Sequence, residues 1–359
     1  MPFTPDYRHL AAVLHNQRPE RLPLYEHLVN PGIMGRILGV ELEPLQPVIV
    51  GGALRFDPAD LALYFTYYWR FFRELTYDVA SFEVCVTEIL PEHGALSGGR
   101  PGPIQSRADF ERYPWAELPE RYRRVAAPQF EALLAAMPPG MAAVGGVGNG
   151  VFEIAEDLVG LEYLPFMQAD DPPLYDALFR RIGDLLVDCW AWFLPRYAHG
   201  FVGCRMGDDL GFKASLLTNP RTVREQILPQ YRRIIAQVHA AGKPFLWHSC
   251  GNILAIMEDA IAAGIDAKHS NEDAIAPFDQ RIAAYGQRIG LLGGFDLGLV
   301  CTATPEELFA RAVEDGRRFR ATARGYALGS GNSIPDYVPV DNYLALVRAA
   351  QTLRAAEGN

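Results

Sequence analysis

The stretch KPFLWHSCGNILAIMEDAIAAGIDAKHSNED, residues 243–273, decides the fold. Its opening KPFLWHSCG (243–251) is a short apolar run that ends in polar groups, the pattern of a strand covered on both faces. NILAIMEDAIAAG (252–264) repeats apolar residues at helical spacing and stops on Gly264, a glycine C-cap. IDAKHSNED (265–273) is again a short strand that runs into a polar turn. Strand, helix and strand in so short a span form a βαβ unit, and that unit makes the two strands parallel.

The alternation extends both ways from this unit. AAVGGVGN (142–149), FVGCRMGDD (201–209), RIGLLGGFD (288–296) and GYALGSGNSIP (325–335) read as further strands. Between them lie helical patterns: LYDALFRRIGDLLVDCWAWFL (174–194), TVREQILPQYRRIIAQVHAAG (222–242), PEELFARAVEDGRRFR (305–320) and a terminal helix from about Asp341. Upstream, RLPLYEHLV (21–29) and YDVASFEV (77–84) supply the first two strands, with a hairpin expected around HGALSGG (93–99). Eight strands alternating with helices indicate the α/β class and a (β/α)8 TIM barrel. It is expected to span residues 1–359 as one domain with an N-terminal helical extension. A doubly wound open sheet shares the alternation and is the rival architecture.

Charge narrows the function classes. Lys plus Arg number 33 against 43 Asp plus Glu, a net charge of −10. With the acids spread along the chain, neither nucleic acid nor an anionic membrane surface is an expected partner. The opening MPFTPDYRHL lacks the charged-then-apolar order of a secretory signal. The richest apolar run, 182–194, is broken by Asp184 and Asp188. Cysteines 85, 189, 204, 250 and 301 are odd in number and scattered, which suits free thiols in a reducing cytoplasm, or metal and catalytic groups. The expected localisation is cytoplasmic, and a homodimer is compatible with the sequence.

Barrel chemistry collects at the carboxyl ends of the strands. Those ends carry Glu26 and His27, Glu83, Asn149 with Glu153 on the next turn, Asp208 and Asp209, His248 to Cys250, His269 with Asn271 and Glu272, Asp296, and Ser330 with Asn332. Polar residues also gather wherever strands meet loops, so the strength of the pattern lies in its presence at all eight ends. Residues two apart on a strand face the same way, so the His248 imidazole and the Cys250 sulfur converge. That pair suits Zn²⁺, while two buried neighbours without a metal is the plainer reading. A third ligand is sought among Glu153, Asp209, Glu272 and Asn332. Of Asp208 and Asp209, one is expected to line the pocket and the other to cap a helix or pair with a base.

Two other motifs have plainer readings. LYFTYYWRFFREL (63–75) holds seven aromatics, which form either an entrance wall or a core stripe. GGVGNG (145–150) matches neither the dinucleotide fingerprint nor the P-loop, so a tight strand-to-helix turn is expected there.

With these residues in view the chain resembles a known family. HSCGN (248–252), after Ala-Gly-Lys-Pro, resembles the H-x-C-G motif of the uroporphyrinogen decarboxylase superfamily. GDDLG (207–211) is similar to a segment of its methyltransferase branch. GYALGSGNSIP followed by VPVDN resembles its last strand, and RPERLPLYE (18–26) its first. The resemblance implies two possible activities. True decarboxylases use no metal and bind the tetrapyrrole with an Arg-rich N-terminal segment and an Asp near the second strand. This chain has YEHLVNPGIMGR and DVASFEV at those places, so the expected cationic partners are missing. The other branch comprises zinc-dependent, corrinoid-linked methyltransferases, whose H-x-C ligands map onto His248 and Cys250. Many of its members add a Cys in the last strand's loop, where this chain has Asn332; that leaves Glu153 as the first choice for third ligand.

The expectation is therefore methyl transfer between a small methylated compound and a corrinoid on a partner protein, with Zn²⁺ as cofactor. Asp209 and Glu272, with Asp208, are the expected catalytic carboxylates. Glu26, His27, Asn149, His269, Asn271 and Asn332 are expected to bind substrate. The alternatives are a metal-free tetrapyrrole decarboxylase and a non-catalytic tetrapyrrole- or corrinoid-binding barrel.

Overall fold

A computed structural model describes residues 3–358. Two short strands, β1 (Val48–Val50) and β2 (Ala53–Arg55), pair as an antiparallel hairpin. The other seven are β3 (Val79–Cys85), β4 (Ala142–Gly148), β5 (Phe201–Gly207), β6 (Phe245–His248), β7 (Ala267–His269), β8 (Gly290–Phe295) and β9 (Tyr326–Ser330). They form one sheet in unbroken sequence order with every neighbouring pair parallel. A doubly wound sheet reverses its strand order at a switch point, and this sheet does not.

The expected first strand closes the barrel without forming a regular ladder. Leu24 and Val29 bridge Leu328 and Ile334 in parallel. Tyr25 donates its backbone N–H to the Leu328 carbonyl at 2.9 Å, and on the other flank the Ser81 hydroxyl donates to the Glu26 carbonyl. Pro23 and Pro31, which have no N–H, bracket the segment and interrupt any ladder.

Alternation along the strands makes two apolar layers. Inward-facing Val79, Val144, Val202, Leu246, Leu292 and Ala327 fill the barrel floor. Leu10, Val13 and Leu14 of the helix Arg8–Leu14 join this layer where Gly290 and Gly325, at the strands' amino ends, meet the Val13 carbonyl. Outward-facing Phe245, Trp247, Leu291 and Leu328 pack under the surrounding helices. The aromatic segment forms the helix Pro58–Glu74, capped by Asp57, and turns Phe65, Trp69, Phe71 and Phe72 into this outer core. The core-stripe reading therefore accounts for most of it.

Two local expectations need correction. No hairpin forms at 93–99; Ala95–Ser97 is a single 3-10 turn between Gly94 and Gly98. The hairpin instead turns on Gly51–Gly52, at φ 59° and 74°, inside VIVGGALR. Two adjacent glycines directly after the β-branched run Val48–Val50 are the sequence signal for that turn. The helix expected from 222 starts two residues earlier, as an α-helical turn Pro220–Thr222 capped by Asn219, widens to a π-type stretch, Val223–Ile227, and continues as Leu228–Ala240. Pro229 lacks the N–H that a regular ladder needs at that point. Among the described residues no helix is long and apolar enough to cross a membrane.

Candidate metal centre at the barrel mouth

The β6–β7 register places His248 opposite His269, one inward position above the apolar floor. Their Nδ1 atoms lie 2.8 Å apart. His269 Nε2 lies 3.0 Å from the Ser330 carbonyl oxygen, which accepts only, so Nε2 carries the hydrogen. Burial pulls His269 down to about 3, so the ring is neutral and its Nδ1 offers a lone pair. His248 Nδ1 must then donate, and His248 Nε2 is left as a bare lone pair. Burial, with His269 next to it, likewise holds His248 well below the usual imidazole range. The His27 ring stacks on His248 at 3.6 Å and 6° and fixes the plane of the imidazole.

The bare Nε2 lies 3.4 Å from Cys250 Sγ and 3.9 Å from Asp209 Oδ1. Cys250 sits just beyond β6 in a loop held against the one after β5. The touching backbones of Gly211 and Gly251 allow this: a Cβ on Gly251 would lie 2.2 Å from the Gly211 carbonyl carbon, and Gly251 has φ 73°. The Cys250 backbone N–H donates to Asp209 Oδ1 at 2.8 Å. Asn332 Nδ2 donates to the sulfur at 3.1 Å, and the Ser270 hydroxyl lies 3.8 Å from it.

Among the described residues two groups of donors are close enough to share an ion, each within 4.8 Å: His27, His248 and His269, and Asp209, His248 and Cys250. The three imidazoles are buried, and two of them already bond each other. The Asp209 carboxylate is 40% exposed, so the second group is the one that a cation reaches from solvent. Burial and the Asp209 charge push the Cys250 thiol up to about 12. A thiol so placed gives up its proton only when a cation balances the charge. One nitrogen, one sulfur and one carboxylate oxygen, with a side open to solvent, fit a catalytic zinc site.

Glu153, the first choice for third ligand, faces elsewhere. Its Oε2 accepts from Asn149 Nδ2 at 3.0 Å and from the Gly150 N–H, in the first turn of the helix Val151–Val159. Asp209 takes the place beside the His–Cys pair. Asp208 also departs from its expected catalytic role. Its buried carboxylate accepts the Phe152 and Glu153 N–H groups at 3.0 and 2.9 Å and the Tyr231 hydroxyl at 2.6 Å. It caps the helix after β4, not the stretch that follows it in sequence. The glycine-rich turn is thereby explained: Asn149 adopts φ 63°, and the helix end where a phosphate would sit is filled by Asp208.

The remaining expected residues surround the cup. Glu26 accepts from the Ser330 N–H and hydroxyl, and burial raises it to about 8. Asn149 Oδ1 accepts from Thr87. Asn271 Oδ1 accepts the Gly294 N–H at 2.9 Å. Glu272 Oε1 accepts the Gly251 N–H at 3.2 Å and steadies the Cys250 loop. Two cations were not anticipated. Arg205 on β5, fully buried, donates to the His27 carbonyl at 2.7 Å and pairs with Glu83 at 2.8 Å. Lys268 on β7 donates to the carbonyls of Ser249, His269 and Ser270, and so ties the ends of β6 and β7 together. A lone Arg and a lone Lys inside otherwise apolar strands were the available signals.

The comparisons bear on this geometry. The sequence pattern of the uroporphyrinogen decarboxylase (URO-D) family matches residues 101–353, well over half the chain. The chain belongs to the URO-D family. The match spans every barrel strand from β4 onward and the loops that carry Asp209, Cys250 and Asn332. Among solved structures, a methyltransferase from Methanosarcina mazei superposes with a TM-score of 0.71 at 17% identity, over 96% of this chain and 97% of that one. The two share a fold. A xylose isomerase domain protein from Alicyclobacillus acidocaldarius subsp. acidocaldarius aligns at TM-score 0.36 and 12% identity, over 83% of this chain and 95% of that one. No curated protein matches the sequence.

Proposed function

We propose that this URO-D family protein is a zinc-dependent methyltransferase that moves a methyl group between a small methylated substrate and a corrinoid carried by a partner protein. The observation that carries the reading is the convergence of His248 Nε2, Cys250 Sγ and Asp209 at an open barrel mouth. These three residues would hold the ion. Zinc bound there supplies Lewis-acid chemistry toward the heteroatom that gains or loses the methyl group.

The chain's own residues do the rest. His269 holds His248 in the tautomer that presents Nε2, the role of an outer partner to a metal-bound imidazole. Asn332 donates to the sulfur from the place where the family resemblance implies a further Cys in many members, and so tempers the thiolate's charge. Glu272 steadies the Gly251 turn through one oxygen, and the other is the carboxylate oxygen we assign to handling the leaving-group proton.

Metal-free tetrapyrrole decarboxylation has less support. It needs cations for substrate carboxylates, and Arg205 is fully buried with its donors engaged by Glu83, Tyr25 and His27. The test is metal analysis of the purified protein, paired with visible spectroscopy of free cob(I)alamin and methylated donors. The expected result is about one zinc per chain, lost in Cys250→Ala, with methylcobalamin formed only by the zinc-loaded protein. Zinc that persists unchanged in Cys250→Ala contradicts the reading.

A further inference from the structure

A cavity of about 380 Å³ opens beside the cup, at the low end of small-molecule pockets. His248, Cys250 and Asp209 do not line it, and two indirect routes connect it to them. Ser333 on its wall follows Asn332, which donates to Cys250. Glu83 on its wall pairs with Arg205, whose guanidinium holds the carbonyl of His27, the residue stacked on His248.

The wall has an unusual composition. It carries the rings of Tyr64, Tyr68 and Phe82 and the carboxylates of Glu83 and Glu88, and no Lys, Arg or His among the described residues. The rings are neighbours: the Tyr64 and Tyr68 centroids lie 5.9 Å apart, and those of Tyr68 and Phe82 6.1 Å. The Tyr68 hydroxyl is spent on the Ser81 carbonyl, so this ring offers apolar and π surface. Glu83 has its cation in Arg205. Among the described residues Glu88 has no ion-pair partner, and partial desolvation together with the Glu83 charge pushes its carboxyl up. An anion in this space would meet two carboxylates with no donor cation, and desolvating it would go uncompensated. A methylated ammonium would set its methyl groups against the rings and its charge near Glu88, where cation–π attraction favours it over a neutral molecule of the same shape.

We propose that this cavity binds a small methylated ammonium cation in preference to neutral and anionic molecules of the same shape. This charge selection does not depend on the methyltransferase reading. Three probes share one branched head and differ in charge: choline, neutral 3,3-dimethylbutan-1-ol and anionic 3,3-dimethylbutanoate. Each is titrated calorimetrically into the full-length protein, as purified and after chelation of metal. Choline is expected to bind about tenfold or more tightly than the alcohol, with the acid weakest, both before and after chelation. Glu88→Gln, at the exposed residue of a turn whose Thr87 and Ile89 are buried, is expected to bring choline and the alcohol within about twofold of each other. Equal or tighter binding of the alcohol or acid overturns the proposal, as does no binding of any probe or an undiminished choline preference in Glu88→Gln. Because the preference is read without metal, its failure is distinguishable from failure of the zinc assignment.

Discussion

His248 and His269 face each other across β6 and β7 with their Nδ1 atoms 2.8 Å apart, and the Ser330 carbonyl on the far side of His269 leaves one proton arrangement for both rings. Removing His269 removes the partner that fixes which nitrogen of His248 faces the mouth. His269→Ala is expected to weaken zinc binding by about 10–100-fold, as for other outer partners of metal-bound histidines. Competition with a chromogenic chelator reads this. Unchanged affinity would show that the ring pair does not orient a ligand.

Asp208 is a cap, and its loss should register as stability and not as metal loss. Asp208→Ala strands two buried N–H donors and the Tyr231 hydroxyl. The expected destabilisation is about 2–4 kcal/mol, with zinc content per folded chain maintained. Asp208→Asn, which keeps an acceptor, should lose less. Denaturant unfolding with parallel metal analysis checks both variants.

Asn332 donates to the Cys250 sulfur from 3.1 Å, so a thiol at that position would sit beside the proposed ion. Asn332→Cys is expected to tighten zinc binding by adding a thiolate ligand, at least tenfold in chelator competition under reducing conditions. A weaker or equal affinity places the ion elsewhere.

Glu26 sets a pH dependence whose sign is fixed. Burial pushes its carboxyl up to about 8 in the folded chain, from the ordinary glutamate value near 4.5. The folded form therefore holds a proton that the unfolded form has released. The contribution to stability is full below 4.5 and is lost as pH rises through about 8. Glu26→Gln removes that titration. Its stability relative to the parent protein should improve steadily between pH 5 and 8.5 in thermal unfolding, and a flat difference would contradict the assignment.

Much of this was legible in the sequence because it depends on local rules. Strands β4 to β9 fall inside the expected runs and β3 passes its run by one residue, Cys85, since short apolar runs bounded by helical patterns suit buried parallel strands. His248 and Cys250 follow from their spacing, although it is the Gly211–Gly251 contact that holds the Cys250 loop in place. The third donor could not be read this way. Glu153 and Asp209 both follow strand ends, and only the packed structure shows that Glu153 turns into its own helix start while Asp209 turns to the cup. Asp208 was equally opaque, because it caps a helix more than 50 residues earlier in the chain, a relation that belongs to neighbouring barrel strands. Arg205 and Lys268 were visible as charges in apolar strands, but their partners lie on other strands and loops.

The central claim is that the His248 imidazole and the Cys250 sulfur grip one zinc ion. Zinc-edge X-ray absorption on protein loaded with one equivalent of metal tests it most directly. The account predicts one sulfur at ~2.3 Å with nitrogen and oxygen at ~2.0–2.2 Å, and loss of the sulfur shell in Cys250→Ser. A first shell without sulfur, or one that Cys250→Ser leaves unaltered, would contradict it.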